Sequence, residues 1–130
     1  MANQPLILVV DDDANFREIF SVKLTSEGYR VETAENGEQG IQKTKELKPD
    51  LVLMDVNMPV MDGAAAVLKL REDPETKKVK VAFLTNLGDP LLEMQESYVR
   101  LSEEFGTRGY LKKTDDLDDL ADRIKTFLAS

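Results

Sequence analysis

The stretch Leu6-Ile7-Leu8-Val9-Val10-Asp11-Asp12-Asp13 decides the fold. Five consecutive apolar residues stop abruptly at three carboxylates. An uninterrupted apolar run of this kind predicts a strand buried on both faces, as in a parallel sheet. Three acids at its C-terminal end repel one another, and a bound cation relieves that repulsion. A second run, Leu51-Val52-Leu53-Met54-Asp55, repeats the design and also ends at an aspartate. Ligands of open parallel sheets bind in the crevice at the carboxyl ends of the strands. Two such strands side by side therefore predict an acidic, oxygen-rich pocket suited to Mg²⁺.

Outward from these runs, strand and helix patterns alternate along the whole chain. Phe16, Ile19, Phe20 and Leu24 recur at helical spacing as a core-facing stripe, and Gly28 follows as a C-terminal stop. A short strand over Tyr29 to Thr33 leads to a helix from about Gly37 to Leu47. Pro49 and Asp50 punctuate before the strand Leu51 to Met54, and the loop Val56 to Asp62 ends at Gly63, which opens a helix through about Arg71. A fourth strand spans Val79 to Leu84, a helical region covers about Asp89 to Phe105, and Arg108 to Leu111 makes a fifth strand. Thr114 is the expected N-cap of the closing helix, with Asp115, Asp116 and Asp118 favourable in its first turn. Leu117, Leu120, Ala121, Ile124, Phe127 and Leu128 line one face of that helix. Five strands alternating with five helices predict a right-handed, doubly wound α/β sandwich.

The 130 residues suffice for one domain, and residues 1–130 are expected to form it without an output domain. The first residues, Met1 to Pro5, lack the basic and apolar regions of a secretion signal, and no apolar run reaches membrane-span length. With no cysteine there is no disulfide and no thiolate metal site, and the cytoplasm is the expected location. A net charge of −8 argues against partners such as nucleic acid or an anionic membrane. The absence of histidine is sharper still, because no imidazole can serve as base, zinc ligand or phosphohistidine. Chemistry must run on carboxylates, hydroxyls, lysines and a bound metal.

Asp11 and Asp12 end the first strand, Asp55 the third and Thr85 the fourth, while Lys113 follows the fifth. Carboxylates that hold a divalent metal, with a lysine and a hydroxyl for the equatorial oxygens, match the needs of phosphoryl transfer. One carboxylate can then be the nucleophile. Asp55 is favoured, since it lies on the more central strand and is followed by a loop.

The motifs Val9-Val10-Asp11-Asp12, Met54-Asp55-Val56-Asn57-Met58-Pro59-Val60-Met61-Asp62-Gly63, Leu84-Thr85 and Tyr110-Leu111-Lys112-Lys113 resemble the receiver domain of two-component response regulators. The resemblance covers essentially the whole chain, in order and at near-family spacing. It implies the flavodoxin-like strand order 2-1-3-4-5 and a stand-alone regulator of chemotaxis or relay type. It implies Asp55 as phosphoacceptor, and Mg²⁺ held by Asp12, Asp55 and the backbone carbonyl of Asn57, with Asp11 supporting it through a water. Thr85 corresponds to the switch hydroxyl and Lys113 to the lysine that pairs with the phosphoryl group. Lys113 is preferred over Lys112 because it sits three residues after the aromatic. Tyr110 corresponds to the rotamer switch, on a face shared by the 89–105 helix, the fifth strand and the closing helix. The implied partners are a sensor histidine kinase or histidine phosphotransfer protein and a downstream protein target, with the chain a monomer or weak dimer. Such a domain modifies itself and is not a metabolic enzyme.

Three features depart from the family pattern. The lysine is usually followed by a cis proline, but here Thr114 follows it. A non-proline cis bond costs about 2.5–4 kcal/mol, so a trans bond and a locally altered loop are expected. The residue after the switch hydroxyl is usually small, whereas here it is Asn86, which can hinder the attacking water. The interval from Thr85 to Lys113 is several residues longer than usual, through Gly88 to Met94.

Plainer roles are expected for several other residues. Asp13 caps the first helix, and Pro59 with Asp62-Gly63 shapes a turn. Met54, Met58 and Met61 fill loop and core. Two alternative functions are a pseudo-receiver that binds partners without phosphorylation and a metal-dependent aspartyl-phosphate hydrolase. The second is disfavoured by Asn57, which stands where that class carries a second acid. If Asn86 obstructs water, the phosphorylated chain decays slowly. A phosphoryl lifetime in Asn86→Ala equal to that of the parent sinks this idea.

Overall fold

A computed structural model describes residues 4–56, 58, 61, 63–85 and 106–130 of the chain. Strands β1 (Leu6–Val10), β2 (Arg30–Ala34), β3 (Leu51–Asp55), β4 (Val81–Thr85) and β5 (Tyr110–Lys112) form one sheet in the order β2-β1-β3-β4-β5. Every adjacent pair is parallel. The described helices are α1 (Ala14–Ser26), α2 (Gly37–Leu47), α3 (Gly63–Glu72) and α4 (Leu117–Ala129). The remaining predicted helix, about 89–105, and the additional residues noted at Gly88 to Met94 lie outside the described residues. The doubly wound α/β expectation and its strand order hold.

The strands read as unbroken apolar runs because both sheet faces are covered. Side chains alternate along each strand, which divides the core in two. Ile7 and Val9 join Leu51, Leu53, Ala82, Leu84 and Leu111 beneath Phe20 and Leu24 of α1 and Leu120, Ile124 and Phe127 of α4. Leu8 and Val10 join Val52, Met54, Val81 and Phe83 on the other face, against Ala66, Val67 and Leu70 of α3. Burial of each such aliphatic or aromatic side chain stabilises the fold by about 1.5–3 kcal/mol. The C-terminal ends of β1, β3 and β4 are thereby fixed side by side.

Several local expectations need correction. Ile19 does not face the core and is 56% exposed. Helical residues rotate by about 100° each, so Ile19 lies well off the axis of the stripe formed by Phe16, Phe20 and Leu24. Thr114 is not the N-cap of α4. The Asp115 amide donates to the Lys112 carbonyl at 3.0 Å, so Thr114 sits inside a turn. Asp116 caps instead, its carboxylate accepting from the Asp118 amide at 2.8 Å. Hence Asp115 precedes the helix, and Asp118 and Asp119 occupy its first turn.

Strand β5 begins at Tyr110, two residues later than predicted. Arg108 already donates its amide to Val81 at 2.8 Å, but Gly109 at φ 130° breaks the extended conformation. Strand β2 is offset by one residue, and β4 starts at Val81, leaving Val79 outside it. Strand β3 runs on through Asp55, which is held in register with Leu84 of β4.

Gly63 closes the loop after β3 by donating its amide to Val56 at 3.1 Å. A Cβ at this position would collide with the Asp55 carbonyl oxygen and lie 3.0 Å from the carbonyl carbon. Only glycine lets the start of α3 approach the end of β3 this closely. We expect Gly63→Ala to lose about 2–3 kcal/mol of stability through overpacking. Urea unfolding should show a lower midpoint with an unchanged slope.

Candidate functional site

Asp11 continues β1 by one residue, its amide donating to Ala34 at 3.1 Å. Its side chain is fully buried. Carboxylate Oδ1 accepts from the Asp13 amide at 2.8 Å, and Oδ2 is ion-paired with the Lys113 ammonium. The Arg17 guanidinium donates through Nη1 to the Asp11 carbonyl at 2.6 Å and so ties the first turn of α1 to the strand end. Asp13 caps α1 as expected, with Oδ1 accepting from Asn15 at 2.9 Å and Phe16 at 3.3 Å. Asp12 between them is exposed.

Asp55 is buried, 2% exposed, at the end of the central strand β3. Lys113 donates through Nζ to its Oδ2 at 3.2 Å. The lysine is positioned by the sheet itself, because its amide donates to the Thr85 carbonyl at 2.8 Å. No cis peptide occurs among the described residues, so the Lys113–Thr114 bond is trans as expected. Thr85 is buried, and among the described residues its hydroxyl makes a long 3.5 Å contact to the Leu111 carbonyl. At that length a hydrogen bond is weak, and the hydroxyl is cheaply reoriented. Tyr110, paired with Phe83 in the sheet, is half-buried and packs against the core face covered by α3.

Ligand oxygens of Asp11, Asp12 and Asp55 lie within 4.8 Å of one another. The Lys113 ammonium pairs with two of these three carboxylates, Asp11 and Asp55, and both are buried away from water. Hard oxygen donors in this arrangement suit a hard divalent cation. Asn57 and Asn86, named from the sequence, lie outside the described residues, as do Pro59 and Asp62.

Burial works against the Lys113 charge, but the hydrogen bond it donates to Asp11 and the charges of Asp55 and Asp11 outweigh it, and its pKa is raised. The ammonium also lies 4.9 Å from the centroid of the Phe16 ring. Sequence patterning assigned Phe16 to the core and marked Arg17 not at all. A lone aromatic or arginine in a helix carries no signal of what stands across from it in space.

Comparison with known proteins identifies the family. The family profile described as Response regulator receiver domain matches residues 7–125. The chain belongs to the response regulator receiver family. This receiver is 37% identical to the chemotaxis protein CheY of Treponema pallidum, over 94% of this chain and 81% of that protein. It is 32% identical to the DNA-binding dual master transcriptional regulator RpaA of Synechocystis, over 95% of this chain and 49% of that protein. The chain thus spans about half the length of several curated relatives it matches. Among solved structures, a putative response regulator from Chloroflexus aurantiacus superposes with a TM-score of 0.85 at 30% identity, covering 98% of this receiver and 100% of that chain. Among the described residues, no helix is long and apolar enough to cross a membrane.

The raised Lys113 pKa has a stability consequence. The folded state keeps the proton beyond the point at which the unfolded chain releases it, normally 10.5. The contribution is therefore complete below that pH and is lost as pH rises past it. In chelator, Lys113→Met should cost about 3 kcal/mol at pH 8, because it removes the ammonium that two buried carboxylates share. Denaturation curves of parent and variant should converge as the pH climbs above 10.5.

Proposed function

We propose that this receiver accepts a phosphoryl group on Asp55 from the phosphohistidine of a sensor kinase or phosphotransfer protein, and thereby switches a protein-binding face. The observation that carries this reading is the Lys113 ammonium shared by buried Asp11 and Asp55, with buried Thr85 at the end of the neighbouring strand. Phosphoryl transfer needs a nucleophile, a counter-charge and a hydroxyl donor within one crevice.

Asp11, Asp12 and Asp55, with the backbone carbonyl of Asn57, are the groups that would hold Mg²⁺. When bound, the ion neutralises charge on the transferring group. Asp55 attacks the phosphorus in line, and the phosphohistidine nitrogen leaves with the bonding pair. Lys113 transfers its attention from Asp55 to a phosphoryl oxygen, and Thr85 turns its weakly held hydroxyl toward the same group. Tyr110 follows, and the face beside β5 and α4 shifts between two pre-existing states. The chain in this reading is a cytoplasmic switch that modifies itself, and its slow hydrolysis of the acyl phosphate resets it.

Incubation with acetyl phosphate and Mg²⁺ should add one phosphoryl group to the intact mass, and Asp55→Asn or chelator should abolish the gain. Mg²⁺ alone should stabilise the fold, by about 2.7 kcal/mol at one hundred times its dissociation constant, with the effect lost in Asp12→Asn. No mass gain with acetyl phosphate or with a panel of histidine kinases would establish the pseudo-receiver instead.

A further inference from the structure

We infer that Phe16 is a positioning residue for Lys113, holding the ammonium at the mouth of the carboxylate pair through the face of its ring. This inference rests on the phosphoacceptor reading of Asp55 for its functional consequence, but its structural core is independent of it.

Lys113 has a four-carbon stem and a compact ammonium that can take many rotamers. In this protein the side chain is only 6% exposed. Asp11 and Asp55 take two directions of the ammonium, and the Phe16 ring lies 4.9 Å from it. An aromatic face attracts a cation through its quadrupole, and the attraction strengthens where water is excluded. The ring is itself held at two points. Its backbone amide donates to Asp13 in the cap of α1, and its centroid is 5.0 Å from that of buried Phe20. Phe16 is thus a plate anchored through its backbone in the cap of α1 and packed on the core.

Such a plate suits a lysine that must change partners. A carboxylate oxygen binds an ammonium along defined hydrogen-bond directions, whereas a ring face has no such requirement. Once Asp55 becomes an acyl phosphate, its carboxyl is no longer a full-strength partner, and the ammonium has to move a short way onto a phosphoryl oxygen. Contact with the ring persists through that displacement and keeps the side chain from swinging out into water. The ring therefore favours the exchange without favouring either acceptor.

The test replaces Phe16 with phenylalanine carrying one, two or three ring fluorines, which preserves shape while draining the π face. The acetyl phosphate phosphorylation rate should fall stepwise, by about fivefold to tenfold at three fluorines, while the melting temperature stays near that of the parent. Phe16→Trp should retain the rate, and Phe16→Leu should match the trifluoro variant. In parallel, the ε-methylene protons of Lys113 should resonate upfield in the parent and move toward ordinary lysine positions in Phe16→Leu. A rate that is flat across the fluorine series overturns the inference. If the parent accepts no phosphoryl group, the phosphoacceptor reading fails by itself. The methylene shifts then decide on Phe16, and unchanged shifts in Phe16→Leu overturn it.

Discussion

Two buried carboxylates at the ends of adjacent strands are held by one shared contact, a lysine from a third part of the sheet that reaches between them. Asp11, Asp55 and Lys113 come from the ends of β1, β3 and β5, and Lys113 bonds both acids. A buried carboxylate without a partner is costly, so the sheet order and the length of each strand are tied to this contact. A one-residue slip of β3 would exchange its two faces and carry Asp55 away from the ammonium. The register pairs Asp55 with Leu84 and Thr85 with Lys112, so Thr85 lies one residue beyond the level of Asp55 and Lys113 one residue beyond that of Thr85.

The same end of the sheet is shaped by features with no charge. Gly63 lets α3 begin against the backbone of Asp55, and the turn closed by Asp115 and Lys112 directs the chain away after Lys113. Arg17 spends its guanidinium on the Asp11 carbonyl, and Phe16 lies under the lysine. These contacts hold a site whose charges would otherwise push it apart. Among the described residues the carboxylates outnumber the ammonium, which is the physical basis for cation affinity, and the loosely bonded Thr85 hydroxyl is free to respond. Rigid backbone with one weakly tethered donor suits a switch better than a uniformly tight site.

Much of this was legible beforehand. Continuous apolar runs predicted strands buried on both faces, and the two core layers bear this out. The helical stripe of the closing helix was read correctly, with Leu120, Ala121, Ile124 and Phe127 buried. Errors fell where local pattern competes with contacts across the chain. Ile19 fits a helical apolar stripe on paper, yet the helix has only one face to give the sheet, and Phe16, Phe20 and Leu24 occupy it. Thr114 and Asp116 are both good caps, and the hydrogen bond between Asp115 and Lys112 chooses Asp116.

The sequence by itself determined the fold class, the acids at the strand ends and the family, because strand periodicity, strand-terminal carboxylates and a long motif are all local in the chain. It could not determine which residues support Lys113. The tertiary structure decided that Phe16 and Lys113, ninety-seven positions apart in the chain numbering, share one desolvated pocket with Asp11 and Asp55. A parallel sheet brings strand ends together from distant segments, so contacts at its carboxyl edge exist only after the crossovers are made. Periodicity reports which face a residue presents to its own element. Only packing reports what waits on the other side.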